Sequence, residues 1–382
     1  MTPHLIDNSS ETPRNEVGGQ ALLEGVMIRS RTGYAVAARR ADGAIVLHQI
    51  PYTPLSANRS WLKIPFIRGI VAVLEMLSIG TRALQWSADL FEQRLNQQQA
   101  SAQDEQLPRR TAEAWARRGF VATAAASLAL AAFLMVVLPH SLALAIGQMA
   151  IVDQAAQWWG ASAFNEAQFP VIFNLLTGLI RALIVVGYIG AIGLNRDIRR
   201  VFGYHAAEHQ AAWAFEKGDE LTVERVITFP RLHPRCGTAF LAIVLLLSIV
   251  VFAVATGMML AGIDQFAGWP WWLRKITLLP IQVALLPVLA AVSFEALKAS
   301  ARHPDHPASR WVLAPGLFLQ RLTTRRPDEG QVEVAIVALL AALAISPEMK
   351  TSSRYVVQGL HDHGVDSRVR PWSPQPAEEP AT

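Results

Sequence analysis

Four runs of apolar residues, about 119–139, 169–194, 239–262 and 276–299, constrain this chain more than any other feature. As a helix, each is long enough to cross a hydrocarbon layer about 30 Å thick, and each satisfies its own backbone hydrogen bonds while doing so. The composition agrees: 52% of the 382 residues are hydrophobic and only 17% are charged, a balance suited to a chain solvated largely by lipid. The formal net charge is only +4, and the basic residues gather beside the apolar runs. No nucleic-acid partner is expected from that distribution, and the first partner to expect is the bilayer itself.

The expected fold class is therefore a predominantly α-helical polytopic membrane protein with about four transmembrane helices and a small cytoplasmic α+β N-terminal region. Orientation follows from the basic residues. The connection 140–168 contains no Lys or Arg, whereas Arg109, Arg110, Arg117 and Arg118 precede the first run and seven Lys/Arg lie within 195–238. The positive-inside rule places both termini and the 195–238 loop in the cytoplasm. Arg274 and Lys275, close to Trp269, Trp271 and Trp272, run against that rule at the other end.

Around the spans, residues 1–15 read as a disordered tail without the pattern of a signal peptide. Residues 16–92 read as an α+β region. In it Gly18-Gly19-Gln20 opens a turn-like motif running to Arg29, Tyr34–Arg40 and Ala44–Gln49 form a hairpin, and a helix follows from Ile64. On that helix Arg68, Glu75, Arg82 and Asp89 recur every seven residues, which predicts a solvated stripe on an amphipathic helix at the membrane surface. Residues 93–118 read as a polar linker, 119–299 as the membrane domain, 300–346 as a cytoplasmic helical segment, and 347–382 as a second disordered tail. The run Val332–Ile345 is too short for a fifth span and reads as a packed helix starting near Pro327-Asp328-Glu329.

The chemistry concentrates in 195–238. A helix over Arg199–Phe215, stopped by Gly218, carries His205, Glu208 and His209. Histidines four apart share a helix face, so both imidazoles can grip one cation. A short strand near Leu221–Thr228 and the turn His233-Pro234-Arg235-Cys236 then lead into the third span. His205, His209, His233 and Cys236 together suit a divalent metal, zinc before others, in tetrahedral geometry. The order His-x-x-Glu-His is that of inverted zinc peptidases, in which the Glu acts as general base. Peptidases of that kind also need a further carboxylate ligand, for which Glu216, Glu220 and Glu224 and the more distant Glu24 and Glu295 are the candidates. Arg181 stands in the middle of the second span, where a charge normally faces protein or water. Cys236 is the only cysteine, so it forms no intrachain disulfide.

The segments GGQALLEGVMIR, YHAAEH, HPRCGTAFL and PGLFLQRLTTRRPDEGQVEVAI, spread from about residue 17 to 345, together resemble the YqhQ-like family of bacterial membrane proteins, domain-of-unknown-function family 1385. The resemblance implies a multi-pass protein of the bacterial inner membrane and a metal-dependent enzyme of unstated substrate. It puts the metal residues on His205, Glu208, His209, His233 and Cys236, with Glu24 as an additional member. Two functions are expected from the sequence. One is a metal-dependent hydrolase acting on a membrane-tethered substrate at the cytoplasmic face, with Glu208 as its base. The other is a non-catalytic membrane scaffold or assembly factor with a structural metal site and a protein partner.

Overall fold

The computed structural model describes residues 17–100 and 123–357, apart from 41, 58, 124, 125, 264, 265, 267, 304, 305, 347 and 350. The tails 1–15 and 358–382, the linker beyond residue 100 and the start of the first predicted span thus lie outside the described residues. The chain is mostly helical and divides into two compact units. One is drawn from Met1–Gln98, Gly193–Cys236 and Gln320–Thr382, the other from Gln99–Ile192 and Gly237–Leu319.

The first unit is built on an antiparallel sheet in sequential order: β1 (Gly18–Leu22), β2 (Gly25–Arg29), β3 (Gly33–Arg39), β4 (Ile45–Pro51) and β5 (Ser353–Val357). The hairpin expected over Tyr34–Gln49 is β3–β4, with Gly43 at φ +89° in its turn. In the glycine-rich motif Gly18 and Gly19 lie in strand β1, and the turn is the tip of the β1–β2 hairpin, which holds Glu24 at φ +53°. Part of the tail read as disordered supplies β5, which pairs with β4 in the register His48↔Arg354.

Both faces of this sheet are covered, which is why β3 reads as a nearly unbroken apolar run rather than alternating. Val26, Ile28, Ala35, Ala37, Ile45 and Leu47 point to one side, and Met27, Tyr34 and Val36 to the other. Against the first side lies α10 (Glu329–Leu343), apolar nearly all round, with helix α5 (Arg196–Lys217) packed beside it. Asp328 caps α10 through a reciprocal capping box with Gln331, so the start expected from Pro327-Asp328-Glu329 is realised.

Helix α1 (Ile67–Ala100) covers the other side through Ile79 and Ala83. Here the sequence reading is corrected. Glu75 of the charged stripe is buried, accepting from Arg29 Nη2 at 3.0 Å and the Leu55 amide at 2.6 Å, while Leu74, Leu77 and Leu84 are exposed. Arg82 and Asp89 of the stripe are exposed as expected, but Glu75 turns to the sheet, where paired hydrogen bonds offset the cost of burying a carboxylate. The glutamine-rich residues 93–100, read as linker, continue this helix, as good helix formers can.

Among the described residues, the second unit contains four helices long and apolar enough to cross a membrane: α2 (Ala126–Gly147), α4 (Pro170–Ile192), α7 (Gly237–Gly262) and α8 (Trp271–Arg302). A short helix α3 (Ala150–Trp158) lies between the first two, and α9 (Pro307–Thr323) follows the last. The first span ends about eight residues later than the apolar run suggested, because Leu138–Gly147 continues the helix past Pro139 and His140. Arg181 on α4 has a partner after all: its Nε donates to the Met135 carbonyl at 2.8 Å, within a π-helical turn of α2 over Phe133–Val137. A widened turn loosens the helix's own ladder and leaves a carbonyl to bond sideways.

Candidate metal centre

Helix α5 is set firmly at both ends. Asn195 caps its first turn by accepting from the Asp197 and Ile198 amides, and Gly218, at φ +68°, ends it in the left-handed conformation. Between these ends Arg200, Tyr204 and Glu208 form one stripe and His205 and His209 the next, as a 3.6-residue period requires.

His205, His209 and Cys236 come together, with one ligand atom from each lying within 4.8 Å of the others. Their orientations are imposed from behind. His205 Nδ1 lies 2.9 Å from the Thr323 carbonyl, and His209 Nδ1 lies 2.5 Å from the Arg231 carbonyl. A carbonyl only accepts, so each Nδ1 carries the proton, and each Nε2 presents its lone pair to the shared space. His205 Nε2 faces Cys236 Sγ at 3.1 Å, and the buried His209 Nε2 lies 3.6 Å from Glu208 Oε2 and within the same group. Backbone carbonyls that fix the tautomer of two converging imidazoles are the usual outer support of metal-ligating histidines. A buried imidazole nitrogen is costly unless something binds it. Two imidazoles and a thiol fit zinc, and the arrangement leaves a fourth direction to a further ligand. Burial also holds the His209 pKa below its ordinary value, which keeps the ring neutral.

Glu208 is buried at the edge of this group, its Oε2 3.6 Å from His209 Nε2. Burial pushes its carboxyl pKa up, against the opposing pull of His205 and His233, and the Gly19 amide donates to it. Gly19 is what permits that approach. A Cβ there would stand 2.6 Å from Glu208 Cγ and 2.7 Å from the Met27 carbonyl, closer than any real contact.

His233 is placed differently from the three gathered residues. Its Nδ1 accepts from the Arg235 amide at 3.3 Å, and its Nε2 stands 3.3 Å from Glu216 Oε1. Arg235 also pairs with Glu216. Burial favours the neutral Glu216 carboxyl, yet His233 and Arg235 beside it hold its pKa below the usual range. The ring packs edge-on against Trp213 at 4.8 Å and lies 5.8 Å from the His209 ring. Gln320 clamps its backbone, accepting from the His233 amide and donating to its carbonyl, each at 2.9 Å.

Glu24 is engaged by α5 rather than by the histidines. Arg200 donates to both of its carboxylate oxygens at 2.6 Å, and the Tyr204 hydroxyl stands 3.4 Å from one of them. Glu295 and Arg181 belong to α8 and α4 of the second unit. The strand expected near Leu221–Thr228 is instead a helical turn, α6 (Val223–Val226), because Thr222 caps it by accepting from the Arg225 amide. Sequence reasoning missed Gln320, Thr323 and the Arg231 carbonyl. Backbone groups leave no mark in a sequence, but Gln320 and Thr323 lie inside the PGLFLQRLTT segment that carried the family resemblance.

The comparisons with known proteins agree on a family. Residues 64–345 match the family model DUF1385, described as a protein of unknown function. The chain is also 31% identical over 343 residues to "Uncharacterized protein YqhQ" of Bacillus subtilis (strain 168), covering 89% of this chain and 97% of that one. No solved structure matches.

Proposed function

We propose that this chain, which belongs to the DUF1385 family, is an integral protein of the bacterial inner membrane with a zinc-dependent hydrolytic centre on its cytoplasmic side. The observation that carries this reading is the pair of imidazoles whose Nδ1 atoms are tied to backbone carbonyls while their Nε2 atoms converge on Cys236. Zinc in such a site supplies an acidified water and a Lewis acid. His205, His209 and Cys236 would hold it.

Glu208 gives the centre its hydrolytic character. It is a buried carboxyl with a raised pKa at the edge of the ligand group, held by the Gly19 amide, and so suited to taking a proton and returning it to a leaving group. His233 and Glu216 flank the site, and Arg235, which pairs with Glu216 and donates its amide to His233 Nδ1, fixes the turn that delivers Cys236. With four helices of membrane-crossing length and apolarity in the same chain, the substrate class is amphipathic or membrane-tethered. Seven Lys/Arg in 195–238, against none in 140–168, support the cytoplasmic side for this loop and for both termini.

The test is elemental analysis of the full-length protein purified without chelators, followed by cobalt substitution. About one zinc per chain is expected, retained in Glu208→Gln and lost in His209→Ala. In the cobalt form, thiolate-to-metal charge-transfer absorption is expected to vanish in Cys236→Ala, and a hydroxamate should perturb the spectrum by entering the fourth position. Absence of stoichiometric metal in the wild type would overturn the reading. A cobalt spectrum indifferent to hydroxamate would leave a closed structural centre, and with it the scaffold function.

A further inference from the structure

A second cluster lies within the second unit, far in sequence from the histidine centre and independent of it. Glu166 is buried with both oxygens engaged: Arg274 donates to one at 2.9 Å, and Lys275 donates to the other at 2.5 Å. Asn174 adds a third donor at 3.0 Å. Arg274 is itself buried. Glu166 thus gathers donors from three side chains, and a buried ionic group of this kind is stable only while its charges stay paired. The same residues explain why Arg274 and Lys275 depart from the positive-inside pattern, since Glu166 offsets one of them.

Beside the triad is a cavity of about 330 Å³ lined by His140, Leu144, Asn165, Glu166, Ala167, Trp271 and Arg274. Its size suits a headgroup rather than a large ligand. The His140 ring is fixed by aromatic packing, stacked on Trp271 at 4.7 Å and edge-on to Phe173 at 5.2 Å. Although His140 is 98% buried, its Nδ1 makes no hydrogen bond. A buried imidazole nitrogen without a hydrogen bond, lining a cavity beside a buried guanidinium, is the chemistry of an anion site. The cavity also lies where α2 ends and where α4 and α8 begin. If these helices cross a bilayer, that common end is at headgroup depth, with Trp271 in the position of an interfacial aromatic.

We propose that this cavity binds a phosphate-type oxyanion, with Arg274 supplying the charge, His140 Nδ1 donating a hydrogen bond and Trp271 forming the wall. Either the headgroup of an anionic lipid or free phosphate has this chemistry. Two measurements on the full-length protein in neutral detergent separate them. Native mass spectrometry compares retention of phosphatidylglycerol with that of phosphatidylcholine, and thermal unfolding is followed with inorganic phosphate added. Preferential retention of phosphatidylglycerol identifies a headgroup site, and stabilisation by phosphate alone identifies a free-anion site.

Either effect should weaken about tenfold in His140→Phe, which keeps the stack on Trp271 and removes the hydrogen bond to a charged group. Arg274→Lys, which keeps the pairing with Glu166 but changes the donor geometry, should weaken it as well, and it serves if His140→Phe does not fold. The proposal is overturned if neither anion is preferred, or if the preference is unchanged in the folded variants.

Discussion

At the scale of single residues, the candidate centre is a problem of proton placement. His205 and His209 turn their Nε2 atoms to the shared space because Thr323 and Arg231 hold the protons on their far nitrogens, and Glu208 reaches its place because Gly19 has no side chain. Gly19→Ala is accordingly expected to destabilise the first unit by about 1–3 kcal/mol, the usual cost of overpacking, and to weaken metal retention along with it. Thermal unfolding and metal content measured on one preparation would check both. His48 provides a pH handle remote from the centre. Burial, with Arg354 opposite it on β5, lowers its pKa from 6.5 to about 4. The unfolded chain therefore binds the extra proton first, and stability present above pH 6.5 is lost as pH falls from 6.5 toward 4. The unfolding midpoint of His48→Gln should show less of that acid dependence, and an identical pH profile would refute the assignment.

At the scale of elements, the charged stripe of α1 is the instructive case. Its spacing was plain in the sequence, yet Glu75 faces inward because Arg29 and the Leu55 amide await it on the sheet side. Glu75→Ala should cost about 1–3 kcal/mol, since it leaves an amide and a half-buried guanidinium without their acceptor. A change under a few tenths of a kcal/mol in chemical denaturation would mean that Glu75 is solvated like Arg82 and Asp89. Capping chemistry was the more dependable guide. Gly218 and Asp328 act where their residue types said they would, while Asn195 starts α5 at Arg196, three residues ahead of the expected Arg199. Thr222 overrode the β-branched residues around it to make a helical turn in place of a strand.

For the whole molecule, the orientation argued from Lys and Arg predicts that reporters fused after residue 160 are active outside the cytoplasm and those fused after residue 220 inside it. The reverse pattern would move the centre to the other side of the membrane. The sequence by itself determined the four long apolar helices, the β3–β4 hairpin, the helix carrying His205, Glu208 and His209, and the nearness in kind of Cys236. These depend on runs, periods and spacings that a one-dimensional pattern preserves. Only the tertiary structure decided which residues meet. Segments as far apart as Gly19, Arg231, Cys236 and Thr323 surround α5. Such contacts run through backbone amides and carbonyls that every residue possesses, and those groups leave no signature in sequence. For the same reason the structure, and not the spacing, set His233 beside Glu216, gave Arg181 the Met135 carbonyl, and joined Glu166 to Arg274 and Lys275.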